Sequence, residues 1–285
     1  MSVNGMPKRW VEPDPVNVPP DLYDLVDGIP VLAETLVRRG YGSTAKAQAF
    51  LDPRCYQPAP AADLPDIERA ADRIEQALNS HERIGVWGDF DVDGQTSTAL
   101  LVDALHRLGA EAAFHIPVRA TESHGVGIEA LNRFLDEGIS LMITCDTGID
   151  ATEAVHYAAS RGVDVIITDH HELPDELPSA VALVNPKRIE GSHPLRALPG
   201  VGVAFQLARE LFGRVGRLSE SRELLDLVAL GVVADLAEQV DDTRFLLQVG
   251  LHVLRRTQRV GLQVMMELAE INPDTLSEEQ ISFMI

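Results

Sequence analysis

Several things are scarce in this 285-residue chain, and each shortage narrows what it can encode. Two cysteines, Cys55 and Cys145, cannot build a disulfide framework, and so low a number suits a reducing cytoplasm. Lysine is nearly absent, 3 residues against 21 arginines, which reads as compositional bias and not as a site. No run of about 18 apolar residues occurs, so no membrane span is expected. The opening MSVNGMPKRW has no apolar h-region, so no secretory signal is expected either. Basic residues as a whole are few: 24 against 44 acidic, a formal charge of −20. That balance counts against a nucleic-acid partner, because phosphate binding relies on Lys and Arg. What is present, 45% apolar and 24% charged residues, describes a soluble globular chain long enough for one large or two smaller domains.

The acidic excess is uneven. Residues 1–80 and 191–285 each carry a net −4, whereas residues 81–190 hold 7 basic and 19 acidic side chains, a net −12. Like charges at that density repel, so the stretch is either a solvated face or a cation site.

Residues 1–30 are rich in Pro and Asp without a sustained period and read as an extended lead-in. PVLAETLVRRGY and TAKAQAFLDP read as short helices, and the Pro/Ala stretch YQPAPAADLPD as a linker. Ile67, Ala70, Ala71, Ile74 and Leu78 recur at helical spacing, giving a helix over about 66–80. From Arg83 short apolar runs (RIGVWGD, AAFHIPV, SLMITCD, VDVIITD, SAVALVNP) alternate with helical patterns (TSTALLVDALHRLG, IEALNRFLDEG, DATEAVHYAASRG). That alternation predicts an α/β fold, a parallel sheet with helices on both faces. Past Pro199 only helical patterns remain, VAFQLARELF, SRELLDLVALGVVADL, DTRFLLQVGLHVLRRT and VGLQVMMELAE. The expected organisation is a helical lead-in over 1–80, the α/β domain over 81–240 and a helical linker over 241–285.

The acidic residues fall at strand ends. GVWGDFDVDGQ, LMITCDTGI and VIITDHHE each set an acidic cluster directly after an apolar strand. In an open parallel sheet the carboxyl ends of the strands converge on one crevice, so Asp89, Asp91, Asp93, Asp146, Asp169, His170 and His171 are expected to meet there. Were the chain extended through DxDxD, its carboxylates would point in related directions. Such a cluster cannot stay ionised without counter-charge, and divalent metals supply it. The carboxylate majority favours Mn²⁺ or Mg²⁺, and the imidazole tilts the choice toward Mn²⁺. An EF-hand reading of Asp89–Gly94 fails: its twelfth position is Leu100, not Glu, and a strand precedes it. One such cluster alone could be turn chemistry, but three at three strand ends plus a His pair are hard to explain that way.

These residues resemble the DHH phosphoesterase superfamily, and more closely its RecJ-type single-strand-specific exonucleases. The resemblance is carried by GDFDVDGQTSTALL, CDTGI, TDHHE, LVNPKR, LPGVGVAFQLA and LDLVALGVVADL, in family order over roughly residues 83–240. It implies that Asp91 and Asp146 hold one Mn²⁺, with Asp89 as a further ligand at the place where relatives often have a His, and that Asp93, Asp146, His170 and Asp235 hold a second, with Mg²⁺ as a substitute. His171 would face the scissile phosphate and Asp169 would orient a histidine. Two cations about 3.5–4 Å apart activate water and clamp the attacking and leaving oxygens. The implied activity is 5′→3′ hydrolysis of single-stranded DNA to 5′-mononucleotides, in repair and recombination, by a monomer working beside helicase or single-strand-binding proteins. The rivals are a nano-RNA or cyclic-dinucleotide phosphodiesterase of the same superfamily, and a non-catalytic DHH scaffold. The last is disfavoured because every ligand position is kept.

Weaker candidates surround this set. Lys187 and Arg188 follow a strand and are placed to contact phosphates, or form an ordinary turn. Arg119, His124 and Gly125–Gly127 lie in a loop after FHIPV that either contacts nucleic acid or simply turns. Leu198–Gly202 opens a helix whose free N–H groups could hold a phosphate, although close packing is the commoner use of such glycines. Trp87 and Phe90 read as core, not as base-stacking platforms, and Cys145 as a buried strand residue. Ser277 and Gln280 stand at capping-box spacing, and the chain stops soon after. Relatives would continue with a second cleft domain and an OB-fold, so the chain reads as a fragment that binds metal well and degrades DNA weakly.

Overall fold

The computed structural model describes Arg9 and residues 11–122 and 125–284. It divides into two compact units, with the boundary between Gln57 and Pro58. The first unit is a small helical cluster of α1 (Pro20–Leu25), α2 (Pro30–Arg38) and α3 (Thr44–Leu51) around Leu22, Val26, Ala33, Leu36 and Ala47. Helix α1 lies in the segment expected to be extended. Proline at its first position costs no hydrogen bond there, and burial of Leu22 holds a helix too short to stand alone.

The second unit begins with α4 (Ile67–Asn79), followed by the alternating segment: β1 (Ile84–Trp87), α5 (Val92–Arg107), β2 (Ala112–His115), α6 (Ile128–Leu135), β3 (Leu141–Cys145), α7 (Thr152–Ser160), β4 (Asp164–Thr168) and β5 (Ala182–Val184). The five strands are all parallel, in the order β2-β1-β3-β4-β5. Their two-residue period sends alternate side chains to opposite faces. Ile84, Val86, Leu141, Ile143 and Ile166 share a core with α4 and α5, whereas Met142, Val165, Ile167 and Leu183 pack with α6 and α7. Burial on both faces explains why the strands read as unbroken apolar runs.

The α4 core residues Ile67, Ala70, Ala71 and Ile74 belong to the sheet's own hydrophobic cluster, so this helix is part of the α/β unit and not of the lead-in expected to reach residue 80. On the same face lie α8 (Gly200–Arg214) and α9 (Leu225–Ala234), the latter preceded by a 3-10 turn over Leu218–Leu224 where the pattern predicts one continuous helix. Helices α10 (Asp241–Leu254), α11 (Val260–Leu268) and α12 (Glu278–Met284) follow. Leu246, Leu247, Leu251, Met266 and Ile281 join the same core, so the helices of the segment expected as a linker are packed against the α/β unit. The capping box closes reciprocally: Ser277 N–H donates to Gln280 Oε1 at 3.1 Å and Gln280 N–H to Ser277 Oγ at 3.4 Å. Among the described residues no helix is long and apolar enough to cross a membrane.

Candidate functional site

The order β2-β1-β3 makes the chain leave β1 to one side and return to the other, opening a crevice beyond the carboxyl ends of β1 and β3. The ladder continues just past the strands, since Asp146 N–H donates to Thr168 O at 2.9 Å and Asp169 N–H to Val184 O at 3.1 Å. Both residues are thus fixed at the crevice floor by their own backbones. Asp146 sits at φ +60°, a left-handed conformation costing about 1 kcal/mol outside glycine, though aspartate visits it more readily than most residues.

The DxDxD segment does not stay extended. Asp89 lies in the turn after β1, Asp91 caps α5 with Oδ1 accepting from Gly94 N–H at 2.9 Å, and Asp93 is already in the first helical turn. Direction is therefore set by a helix start and not by strand alternation. Asp91 is exposed while Asp93 is only 1% exposed. Gly200 and Val201, at the start of α8, donate to the Asp93 carboxylate at 2.7 and 2.9 Å. These N–H groups, candidate phosphate donors in the sequence, are taken by a carboxylate of the protein itself.

Three overlapping groups of ligand-type atoms result, each within 4.8 Å: Asp89, Asp91 and Asp146; Asp93, His170 and Asp235; and Asp146, His170 and His171. His170 Nε2 stands 3.1 Å from Asp146 Oδ1 and 3.9 Å from both Asp93 Oδ2 and Asp235 Oδ1. Asp235 arrives as the C-cap of α9. Asp169 is buried beneath, its Oδ1 accepting from the N–H groups of His170 and His171 and meeting His171 Nδ1 at 2.7 Å, while Oδ2 accepts from Ile149 N–H.

Electrostatics show what the cluster lacks. Burial first, then the charges of Asp91, Asp169 and Asp235, push Asp146 up to about 9. Burial and the neighbouring Asp146 hold Asp93 well above the carboxylate range, and burial also raises Asp89 and Asp235. The hydrogen bond to Asp169 lifts His171 to about 9. Burial alone would raise Asp169 as well, but its bonds to His171 and to backbone N–H groups bring it below the usual value. Asp89 Oδ1 and Asp146 Oδ1 are buried without a hydrogen-bond partner among the described residues, which buried polar atoms rarely are. Hard oxygen donors with an imidazole, short of positive charge and holding free lone pairs, fit Mn²⁺ or Mg²⁺.

A cavity of about 220 Å³ opens beside the first group, bordered by Asp89, Gly125, Asp146, Asp169, His171 and Glu172. Lys187 Nζ lies 3.5 Å from Glu172 Oε1 and its charge acts on Asp235, so this cation faces the crevice. Arg188 does not. Its guanidinium bonds the Asp66 carboxylate at 2.7 Å and the Leu183 carbonyl, a structural tie that removes it from the phosphate contacts expected of it. Arg119 stacks over Phe90 at 4.8 Å, and the loop carrying it is clipped by Glu122, which accepts from Val118 N–H and meets His115 Nε2 at 3.2 Å. His124 lies outside the described residues. Trp87 is fully buried, and burial pushes the Cys145 thiol up, leaving it inert. Sequence reasoning missed Asn185. Fully buried, it donates to His171 O at 3.0 Å and accepts from Lys187 N–H at 2.8 Å, joining the two loops; the Asn-Pro pair at a strand end was its only signal.

Fold and site together define a doubly wound α/β domain with a carboxylate–imidazole centre at its switch point. Residues 83–232 match the DHH family, N-terminal domain, and the chain belongs to that family. It is 40% identical over 259 residues to the single-stranded-DNA-specific exonuclease RecJ of Bacillus subtilis (strain 168), a match covering 90% of this chain and 32% of that one. Among solved structures it is similar to exonuclease RecJ bound to manganese, with a TM-score of 0.73 and 33% identity over 80% of this chain and 57% of the other. It is also similar to RecJ in complex with Mn²⁺ from Thermus thermophilus, with a TM-score of 0.77 and 28% identity over 94% of this chain and 38% of the other. The chain thus spans about a third of the length of the curated relative from Bacillus subtilis.

Proposed function

We propose that this chain carries the metal-dependent phosphodiesterase centre of a RecJ-type exonuclease acting on single-stranded DNA from the 5′ end. The observation that carries the reading is the meeting of Asp89, Asp91, Asp93, Asp146, His170 and Asp235 at the switch point, where the buried Asp89 Oδ1 and Asp146 Oδ1 accept no hydrogen bond among the described residues. The relatives named as single-stranded-DNA-specific exonucleases, and the one bound to manganese, supply substrate and metal.

Asp89, Asp91 and Asp146 would hold one Mn²⁺, and Asp93, Asp146, His170 and Asp235 the second, with Asp146 shared between them. When bound, such a pair of cations supplies Lewis acidity and lowers the pKa of water toward neutrality. The protein's own residues do the rest. The hydrogen bond to Asp169 raises His171 above its ordinary value and so favours the imidazolium that would offset charge on the reacting phosphate, while Asp169 fixes its ring. Lys187 adds a second cation on the same side, and Asn185 holds the two loops in register. Without bound metal the carboxylates repel the substrate, so the −20 chain is expected to bind DNA poorly. The full set of ligand positions favours an enzyme over a scaffold. Cytoplasmic action as a monomer, beside helicase or single-strand-binding partners in repair and recombination, completes the proposal, and the free thiols Cys55 and Cys145 suit that compartment.

The test uses 5′- and 3′-labelled single strands with and without Mn²⁺. Immediate release of labelled mononucleotide from the 5′-labelled strand, with progressive shortening of the 3′-labelled one, both abolished by chelator, is the expected result. Metal-independent cleavage, or cleavage confined to oligonucleotides of a few residues, would replace this reading with another.

A further inference from the structure

Gly200 and Gly231 come from different helices, α8 and α9, yet both border the Asp93 carboxylate. Gly200 N–H donates to Asp93 Oδ2 at 2.7 Å, and Val201 N–H to Oδ1 at 2.9 Å. Each oxygen commits one lone pair to the helix end and keeps another free. The same Gly200 packs directly on Asp146, since a Cβ there would stand 2.5 Å from Asp146 Oδ1. At Gly231 a Cβ would stand 2.8 Å from Asp93 Oδ1 and 2.6 Å from Thr96 Oγ1. Real Cβ atoms do not approach so closely, and neither carboxylate is the free end of a flexible side chain: Asp93 is 1% and Asp146 2% exposed. Gly202, one turn-fraction along α8, is different. Its Cβ would meet Leu198 Cδ2 at 2.9 Å and touch no carboxylate, so it serves packing alone.

We propose that Gly200, Val201 and Gly231 are positioning residues for the metal centre. The first two amides of α8, with bare Cα positions at 200 and 231, fix the Asp93 carboxylate relative to Asp146 and His170. The Asp93–His170–Asp235 group is thereby set for a cation before one arrives. Helix N-terminal amides carry partial positive charge and favour an anion at this place. They do so without competing for the remaining lone pairs, which is what separates a holder of the ligand from a rival for it. The inference rests on the two-metal reading above.

Titration of the metal-free full chain with MnCl₂, counting bound ions by calorimetry and by the electron-spin signal of free Mn²⁺, tests it. Wild type is expected to take up two ions; uptake of none would remove the two-metal reading and this inference with it. Given two ions in wild type, Gly200→Ala, which presses on the shared Asp146, is expected to weaken both and Gly231→Ala to weaken one of them, each by about 10- to 100-fold, the usual effect of disturbing a group that orients a ligand. Val201→Pro deletes one donor where a helix's first turn tolerates proline, and is expected to do the same without adding a Cβ at 200. Gly202→Ala is the control for packing, expected to lower the metal-free melting temperature while keeping both ions. Wild-type affinity for both ions in folded Gly200→Ala and Gly231→Ala would overturn the inference. So would an equal loss of metal in Gly202→Ala, or failure of all three positioning variants to fold, since either outcome assigns these residues to the fold and not to the metal.

Discussion

Asp91 and Asp93 stand two residues apart in one motif, yet the molecule holds them in opposite ways. Asp91 is exposed at the start of α5 and is fixed by its own helix, through Gly94 N–H. Asp93 is buried and fixed from outside, by the first amides of a helix more than 100 residues later, Gly200 and Val201. The groups they join differ accordingly. Asp89 and Asp146 of the first group border an open cavity, whereas Asp93, His170 and Asp235 are drawn together from α5, the turn after β4 and the end of α9. The first group takes two of its three carboxylates from the short turn between β1 and α5 and the third from the end of β3; the other exists only when three distant segments have packed. Asp146 belongs to the first group and lies 3.1 Å from His170 of the second, so it ties the halves together.

The largest effect should come from breaking that tie. Asp146→Ala is expected to lose both Mn²⁺ ions and to drop nuclease activity by about three orders of magnitude or more, the scale of removing a transition-state interaction. Circular dichroism should remain wild type, and retained turnover would sink the two-metal scheme. Next, the halves should separate under matched substitutions. Asp93→Asn presents an amide NH₂ to the α8 amides and leaves a buried donor unpaired, so it is expected to cost about 1–3 kcal/mol in chemical denaturation besides losing an ion. Asp91→Asn keeps the cap, since asparagine caps as well as aspartate, and should lose metal with nearly unchanged stability. Equal stability loss in both variants would erase the distinction.

pH sharpens the same contrast. Asp93, Asp146, Asp89 and Asp235 have folded-state values above the ordinary 3.8, reaching about 9 at Asp146. A raised value stabilises the fold fully below the ordinary one and loses that contribution as pH climbs through the folded one. His171, raised from 6.5 to about 9, acts in the same sense. The melting temperature of metal-free protein should therefore fall between pH 5 and pH 9, and the increment given by Mn²⁺ should grow over that range. A flat metal-free profile would show that the carboxylates do not crowd one another as described. Asp169, held low, has the opposite sign and contributes only above the acid range.

Smaller effects lie further out. Asp169→Asn is expected to bring His171 down from about 9 toward 6.5 in an NMR titration and to cost about 10- to 100-fold in kcat. Lys187→Ala should raise KM for DNA a few-fold, roughly the worth of one phosphate contact at moderate salt, and flatten its salt dependence with kcat unchanged. Unaltered salt dependence would leave Lys187 as no more than the partner of Glu172.

Much of this was legible because strands and their ends leave local marks. Unbroken apolar runs such as LMITC and VIIT announce strands covered on both faces, and Asp146 and Asp169 follow them directly. The failures share a cause. Helix α1 depends on burying Leu22, and the place of α4 on Ile67 and Ile74 meeting the sheet. Arg188 looked free in NPKR, but Asp66, 122 residues earlier, claims its guanidinium. Asn185, passed over at the end of the run SAVALVNP, proves to link His171 with Lys187.

The class of fold, the strand ends where chemistry collects and the residue types suited to a divalent cation are all written locally in the chain, because period, apolar runs and donor chemistry are local properties. Tertiary structure alone decided which carboxylate is buried and which exposed, which cation faces the crevice, and that the α8 amides serve Asp93. Those outcomes turn on contacts between segments far apart in the chain, where a hydrogen-bond donor goes to whichever acceptor packing brings within about 3 Å.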